Sequence, residues 1–469
     1  MSFFLSLFNR LNVDEDKLNN LVNASFLGSL INLATRFSGF VSSKISNSSL
    51  IFSNLDNIYF AFLVILLFVI PFGNTTLLGV FALFLIFLNI INSIVHHKKF
   101  ELSSIHLPVM CYLAVILLSV AFSSLFLPSL KGFAKMFIYI ASFFSFFSFF
   151  KRNPQKIFPC VLVVAITSSI ELLFALKQML FGVNALAGWQ DVNRVNPELL
   201  MNRIFGTLKP YNPNLFAAYI LATMPCIFAV AKSKLKWSFL LFAPFALLAL
   251  LALVQSGCRG AYIGLFFGTC MGLSLVYSVF GRHIKAKITR KKLIFAVLIL
   301  LLAVIFIITS PSIMHRLESI FTLRGDSSNS YRVNVYISSI KMFLDNFWIG
   351  IGPGNTTYRL IYGLYMITGF DALGAYNIFL EMAVESGIFA PLIFLWMVIL
   401  TFFKSLKKLF LISVKYKLVI IALLSAIFAM LMHGFFDTIW YRPQIQLIFW
   451  LYLAILAVIT MKGFSYEQK

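Results

Sequence analysis

About a dozen apolar runs, each near the roughly 20 residues that cross a 30 Å hydrocarbon layer, follow one another along this chain. They fall near 57–72, 77–95, 107–127, 133–150, 157–180, 214–231, 237–255, 260–280, 293–310, 377–402, 418–435 and 445–461. With 60% hydrophobic residues, 54 Phe and only 12% charged residues, the chain has more apolar side chains than a water-soluble core of this length uses. It reads as an all-α integral membrane protein. The connectors divide by charge: Lys98 and Lys99, the 151–156 connector, Lys232 with Lys234 and Lys236, Arg282 to Lys292, and Lys404 to Lys417 all fall on one side. The positive-inside rule makes that side, and both termini, cytoplasmic, and places the chain in the inner (plasma) membrane.

This topology divides the chain into a cytoplasmic or interfacial segment 1–56, spans one to nine over 57–310, a large extracytoplasmic loop 311–376, spans ten to twelve over 377–461, and a cytoplasmic tail 462–469. Residues 20–57, rich in Ser and Asn, read either as an interfacial helix or as a solvated tail. No apolar leader opens the chain, so no cleaved signal is expected. The net charge of +22 is spread over short connectors rather than one soluble face, which argues against nucleic acid. The five cysteines lack CxxC or CxxH spacing, and no GxxxxGK[ST], GxGxxG or HExxH occurs. Neither a metal, a nucleotide nor any other cofactor is expected.

The outer side, where positive charge is normally sparse, nevertheless carries Arg203, Arg259, Arg332, Arg359 and Arg442. Guanidinium groups gathered there point to an anion. Arg259, between two glycines on a short turn, could also be a span-end residue snorkelling to headgroups. Lys209 and Arg203 could serve loop solubility, and Arg332 could meet lipid phosphate. The stretch from Tyr331 to Trp348 spaces Val335, Ile340, Phe343 and Phe347 for a helix along the outer surface, followed by glycines (IGIGPGN, 349–355) that permit close backbone approach to a ligand. Glu381 and Glu385, four apart, could meet Arg359. Glu171 and Lys177 could both face the bundle interior, and intramembrane carboxylates invite functional readings. The Phe-rich run 143–150 reads as lipid-facing or packing surface, not as an aromatic binding box. No broken helices or inverted repeats, the marks of many secondary transporters, are evident.

RIFGT (Arg203 to Thr207), YNPN (Tyr211 to Asn214), QSGCRGAYIG (Gln255 to Gly264), the stretch from Ser327 to Asn355, and NIFLEMAVESGIFA (Asn377 to Ala390) together resemble the O-antigen ligase and polymerase family, in order across roughly 200–400. PFGNTTLLG (Pro71 to Gly79), GVNALAGWQD (Gly182 to Asp191) and HGFFDTIWYRPQIQ (His433 to Gln446) resemble its cyanobacterial branch, described as inorganic-carbon (bicarbonate) transporters. The ligase resemblance implies glycan transfer from a polyprenyl diphosphate at the outer face of the inner membrane, without metal or nucleotide. It also implies a phosphate clamp, whose matching positions here are Arg203, Arg259 and Arg332; Lys209, Arg359, Glu381, Glu385 and Arg442 are supporting candidates read from the residues themselves. Its ligases carry a His where this chain has Tyr376, and a phenol with an ordinary pKa near 10 is a poor base at neutral pH. His315, at the start of the large loop, is one other outer histidine. His433 and Asp437, four apart and readable as a pair on one helix face, are the others to weigh with Tyr376 for catalysis. Three functions stay open: transfer of a lipid-linked glycan, bicarbonate accumulation, and a scaffold that has lost catalysis.

Overall fold

A computed structural model describes residues 12–24, 53–96, 101–183, 201–233, 235, 237–287, 309–318, 320, 327–462 and 464. The ninth run, 293–310, the GVNALAGWQD motif beyond Val183, and most of the N-terminal segment lie outside them. Among the described residues every regular element is helical: α1 Glu15–Ala24, α2 Leu55–Val69, α3 Thr75–Val95, α4 His106–Ala121, α5 Phe126–Arg152, α6 Ile157–Phe181, α7 Pro213–Ala231, α8 Ser238–Gln255, α9 Arg259–Lys287, α10 Pro311–Glu318, α11 Ser327–Asp345, α12 Asn355–Tyr362, α13 Ile378–Ser386, α14 Phe389–Leu409, α15 Val414–Gly434 and α16 Pro443–Ile459. Among the described residues, eight helices are long and apolar enough to cross a membrane, and three shorter apolar ones, α2, α4 and α16, join them. The helix expected from Tyr331 is α11.

Helices α15 and α16 are the centre of the bundle. Every residue of α16 is buried, and α15 packs against both α7 and α9. The α9–α15 contact is close because α9 repeats glycine every fourth residue: a Cβ on Gly264 would stand 2.7 Å from the Ala429 carbonyl oxygen, and one on Gly268 would stand 2.6 Å from the Ala429 methyl. Small residues at that spacing let helices meet backbone to backbone, which in hydrocarbon is the main source of association. The Phe-rich run of α5 is packing surface, with Phe143, Phe146, Phe147, Phe149 and Phe150 all buried.

The tenth run is not one span. It breaks at Gly387, whose φ of 73° is left-handed and whose Cβ would lie 2.0 Å from the Trp348 carbonyl oxygen. The break frees the last carbonyls of α13, and the glycine loop after α11 takes them: Ile351 N–H donates to Val384 O (3.0 Å) and Gly352 N–H to Glu385 O (2.9 Å). Gly350 therefore serves close approach to a helix end, a Cβ there standing 2.5 Å from Glu385 C, while Gly352 and Gly354 lie against Ser129 and Gly132 of α5. A broken helix is present after all, but its carbonyls are already occupied.

The 21 residues of α15 span about 30 Å, and its two ends separate the two charge classes. At its start the Tyr416 hydroxyl donates to Pro154 O (3.1 Å), joining two Lys-bearing connectors. At the same end Glu15 pairs with Lys404 (2.6 Å) and accepts from Lys462 N–H, which puts α1 and residue 462 on one side. At its other end lie Asp437 and the arginines.

Candidate functional site

Residues 201–212 enter α7 through a helix start that the sequence specifies: Asn212 Oδ1 caps by accepting from Asn214 N–H (2.8 Å), and Pro213 occupies the first turn. The RIFGT strip before it is pinned from α6. Glu171, fully buried, accepts from Thr207 N–H (2.7 Å) and Thr207 Oγ1 (2.6 Å), while Gln178 Oε1 accepts from Phe205 and Gly206 N–H. A Cβ on Gly206 would stand 1.8 Å from Glu171 Oε1, so the carboxylate needs that glycine. Glu171 thus faces the interior and positions Arg203, whereas Lys177, expected to face inward with it, is exposed.

Arg203 donates from Nε to Ser256 O (2.7 Å) and from Nη2 to Asn214 Oδ1 (2.6 Å), and Asn214 Nδ2 donates to Asp437 Oδ2 (2.5 Å). Asp437 Oδ2 lies 3.5 Å from Arg332 Nη2 of α11, and its Oδ1 accepts from Thr438 N–H (2.8 Å). One polar chain, Arg203–Asn214–Asp437–Arg332, therefore links three segments far apart in sequence. The Asp437 turn is held from α16, where Gln446 donates to Trp440 O (2.7 Å) and Gln444 reaches Gly73 O (3.4 Å). That last bond joins two of the motifs read from the sequence.

A cavity of about 220 Å³ opens on this chain, lined by Arg203, Arg332 and Arg442 together with Asp437, Asn214 and Tyr376 among others. Three guanidiniums against one carboxylate leave a surplus of two positive charges on its wall. Burial first, and then the neighbouring Arg316, lowers Arg203 to about 10, so it stays charged at neutral pH but is held in an electropositive setting that an anion would relieve. Arg332 Nε is buried without a partner among the described residues.

Tyr376 also lines the cavity, in a left-handed conformation (φ 52°), with the Arg332 guanidinium 5.7 Å from its ring centre. Burial, then Tyr331 and Asp437, raise its phenol further above the ordinary value, which makes it a poorer base. His433 is fully buried, outside the cavity wall, with Nε2 3.4 Å from Cys258 Sγ. Helix α15 ends at Gly434, so His433 and Asp437 do not share a helix face, and Asp437 turns instead to Asn214 and Arg332. Metal-capable atoms of Cys258, His433 and Asp437 do lie within 4.8 Å of one another. A cation there would have to displace Arg332 and Asn214 from Asp437.

The remaining candidates separate. Arg259 is buried at the start of α9 and does not line the cavity. Lys209 is exposed, and His315 sits on α10 outside the cavity wall. Arg359 pairs with Asp371 (2.7 Å) on the surface rather than with Glu381 or Glu385, with both side chains more than half exposed. Glu381 Oε2 instead accepts from Ala375 N–H (3.2 Å) and the Thr438 hydroxyl, and Glu385 Oε1 accepts from Gly354 N–H (3.0 Å). Both glutamates line a second, larger cavity of about 610 Å³, with Lys131, Lys135 and Arg442. The sequence reading passed over Lys131 and Lys135. Their signal was two lysines four apart inside the fourth apolar helix.

A family model described as O-antigen ligase matches residues 244–395, about a third of the chain. No curated protein matches the chain. The matched stretch runs from α8 into α14 and contains Arg332, Tyr376, Glu381 and Glu385, but not Arg203, Asp437 or Arg442. The match and the eight membrane-length helices together support a ligase-like, multi-pass membrane protein.

Proposed function

We propose that this chain is an inner-membrane glycan transferase whose donor is a polyprenyl-diphosphate-linked glycan. The observation that carries the reading is the surplus of positive charge in the Arg203–Arg332–Arg442 cavity, at the end of the bundle opposite the lysine connectors. Planar guanidiniums bind phosphate oxygens in pairs and stay charged, and charge on a departing diphosphate is what they would neutralise. The family match over 244–395 supports the same reaction class. The reaction needs no metal or nucleotide in this scheme, because the arginines supply the neutralising charge.

Bicarbonate accumulation is the competing reading, taken from the motif resemblance around His433 to Gln446. The helix break at Gly387 favours it, since transporters place discontinuous helices at ion sites. The freed carbonyls, however, are bonded to Ile351 and Gly352 and are not open to an ion. A deletion strain read for surface glycan by gel and for uptake of labelled bicarbonate separates the two. Loss of glycan with normal uptake, unrescued by Arg203→Ala or Arg332→Ala, is the expected result. Loss of uptake with intact glycan refutes the transferase.

A further inference from the structure

The proposed transfer, on which this inference rests, lacks a base: Tyr376 is unsuited, Asp437 is taken up by Asn214, Thr438 and Arg332, and His433 is buried away from the cavity. We infer that the larger cavity is the acceptor chamber, that it takes an anionic, hydroxyl-bearing acceptor, and that Glu381 accepts the proton of the attacking hydroxyl.

Position comes first. The two cavities share Tyr441 and Arg442 in their walls. Between them the hydrogen-bonded path is short: Asp437, which touches Arg332, accepts from Thr438 N–H, and the Thr438 hydroxyl donates to Glu381. The carboxylate therefore stands one side chain behind the diphosphate clamp, on the side open to the second chamber. Gly374 makes room for it, since a Cβ there would stand 2.5 Å from both Glu381 Oε2 and Thr438 Oγ1.

The state of the carboxylate follows from its partners. Glu381 is only 6% exposed, and two donors, Ala375 N–H and the Thr438 hydroxyl, both point at Oε2. That leaves Oε1 with no hydrogen-bond partner among the described residues, on a side chain that lines the cavity. An acceptor oxygen held in place and left open to the cavity is placed to take a proton from a ligand hydroxyl.

The charge of the acceptor follows from α5. Lys131 and Lys135 are four apart, so they lie on one helix face, and both line the chamber. Neither forms an ion pair among the described residues, and Arg442, the third cation of the wall, rests only on the Tyr441 ring (4.6 Å). Three cations against the carboxylates of Glu381 and Glu385 leave the wall a surplus of one positive charge, which matches phosphate or carboxylate groups on the acceptor. Trp440, Tyr441, Tyr112 and Tyr139 supply flat apolar surface for sugar rings in the same wall.

In the step, the acceptor oxygen forms a bond to the anomeric carbon as its proton passes to Glu381 Oε1. The bond from that carbon to the diphosphate oxygen breaks, and the electron pair leaves with the diphosphate beside Arg203 and Arg332. Glu381 then returns the proton to water.

The test complements a deletion strain with variants at matched membrane levels, reads surface glycan on gels, and measures undecaprenyl diphosphate binding to each purified protein. Glu381→Gln, which keeps the shape and can still accept from Thr438, should lower glycan transfer by about 100-fold or more, with undecaprenyl diphosphate binding unchanged. The Lys131→Ala, Lys135→Ala double variant, altered only at exposed positions of α5, should lower glycan with binding likewise unchanged. Near-normal glycan from either variant overturns the chamber or the base, while arginine-dependent diphosphate binding leaves the transferase reading standing. A wild-type protein that does not bind undecaprenyl diphosphate, or a deletion that leaves glycan unchanged, overturns both.

Discussion

Replacing Arg332 by alanine probes the donor site with the least disturbance elsewhere. Arg332 contributes one of three guanidiniums to the smaller cavity, its Nε has no partner among the described residues, and it meets Ser328 (3.3 Å), Asp437 (3.5 Å) and the Tyr376 ring (5.7 Å). Removing it lowers the surplus charge of the wall from two to one. A charge-assisted hydrogen bond to phosphate contributes about 1.5–3 kcal/mol, and each 1.4 kcal/mol is about a tenfold change in Kd. Arg332→Ala should therefore weaken undecaprenyl diphosphate binding by roughly 10- to 150-fold. Arg332→Lys, which keeps the charge but not the fork, should fall between the two. Arg359→Ala is the control, because its pair with Asp371 is more than half exposed on both sides and such pairs contribute about 0–1 kcal/mol. Binding measured in nanodiscs at fixed salt settles the matter. If Arg332→Ala binds within twofold of wild type, or if Arg359→Ala is the weaker binder, the placement of the diphosphate is refuted.

Glu171→Leu should weaken undecaprenyl diphosphate binding without touching the cavity, because it releases Thr207 and with it the strip that carries Arg203; unchanged affinity would remove Glu171 from that role. Gly268→Leu should lower the thermal midpoint, since its Cβ meets the Ala429 methyl at 2.6 Å and overpacking costs about 1–3 kcal/mol; Gly79→Leu, with nothing within 4 Å, should not. Gly387→Ala should cost more than Gly79→Ala in the same assay, because it adds a left-handed conformation to a clash with the Trp348 carbonyl. Arg203 is charged below about 10 and loses its proton above it, so diphosphate affinity should stay level through neutral pH and decline as pH rises past about 10; a decline that begins near neutrality would assign the dependence to another group.

Most of the helical architecture was legible because apolar runs of membrane length are set by the thickness of the hydrocarbon, not by neighbours. The break at Gly387 was not, since Ile378 to Leu409 is apolar on both sides of it and only the docking of the 349–354 loop shows why the chain turns there. Arg203 and Arg332 stood out as outer arginines, but their joining through Asn214 and Asp437 crosses more than 200 residues of sequence. Local spacing carries no record of that. The same limit misled the reading of His433 with Asp437: an interval of four suggests a shared face only while the helix continues, and α15 stops at Gly434. Glu381 and Glu385 looked like partners for an arginine because buried charge needs compensation. Backbone amides and a threonine hydroxyl supply it instead.

The central claim, that a diphosphate sits between Arg203 and Arg332, is tested most directly by single-particle imaging of the protein in nanodiscs with undecaprenyl diphosphate. The account predicts phosphate density in the cavity lined by Arg203, Arg332 and Arg442, with the prenyl chain leaving it toward lipid. Density confined to the Lys131 and Lys135 chamber, or an empty arginine cavity at saturating ligand, would contradict it.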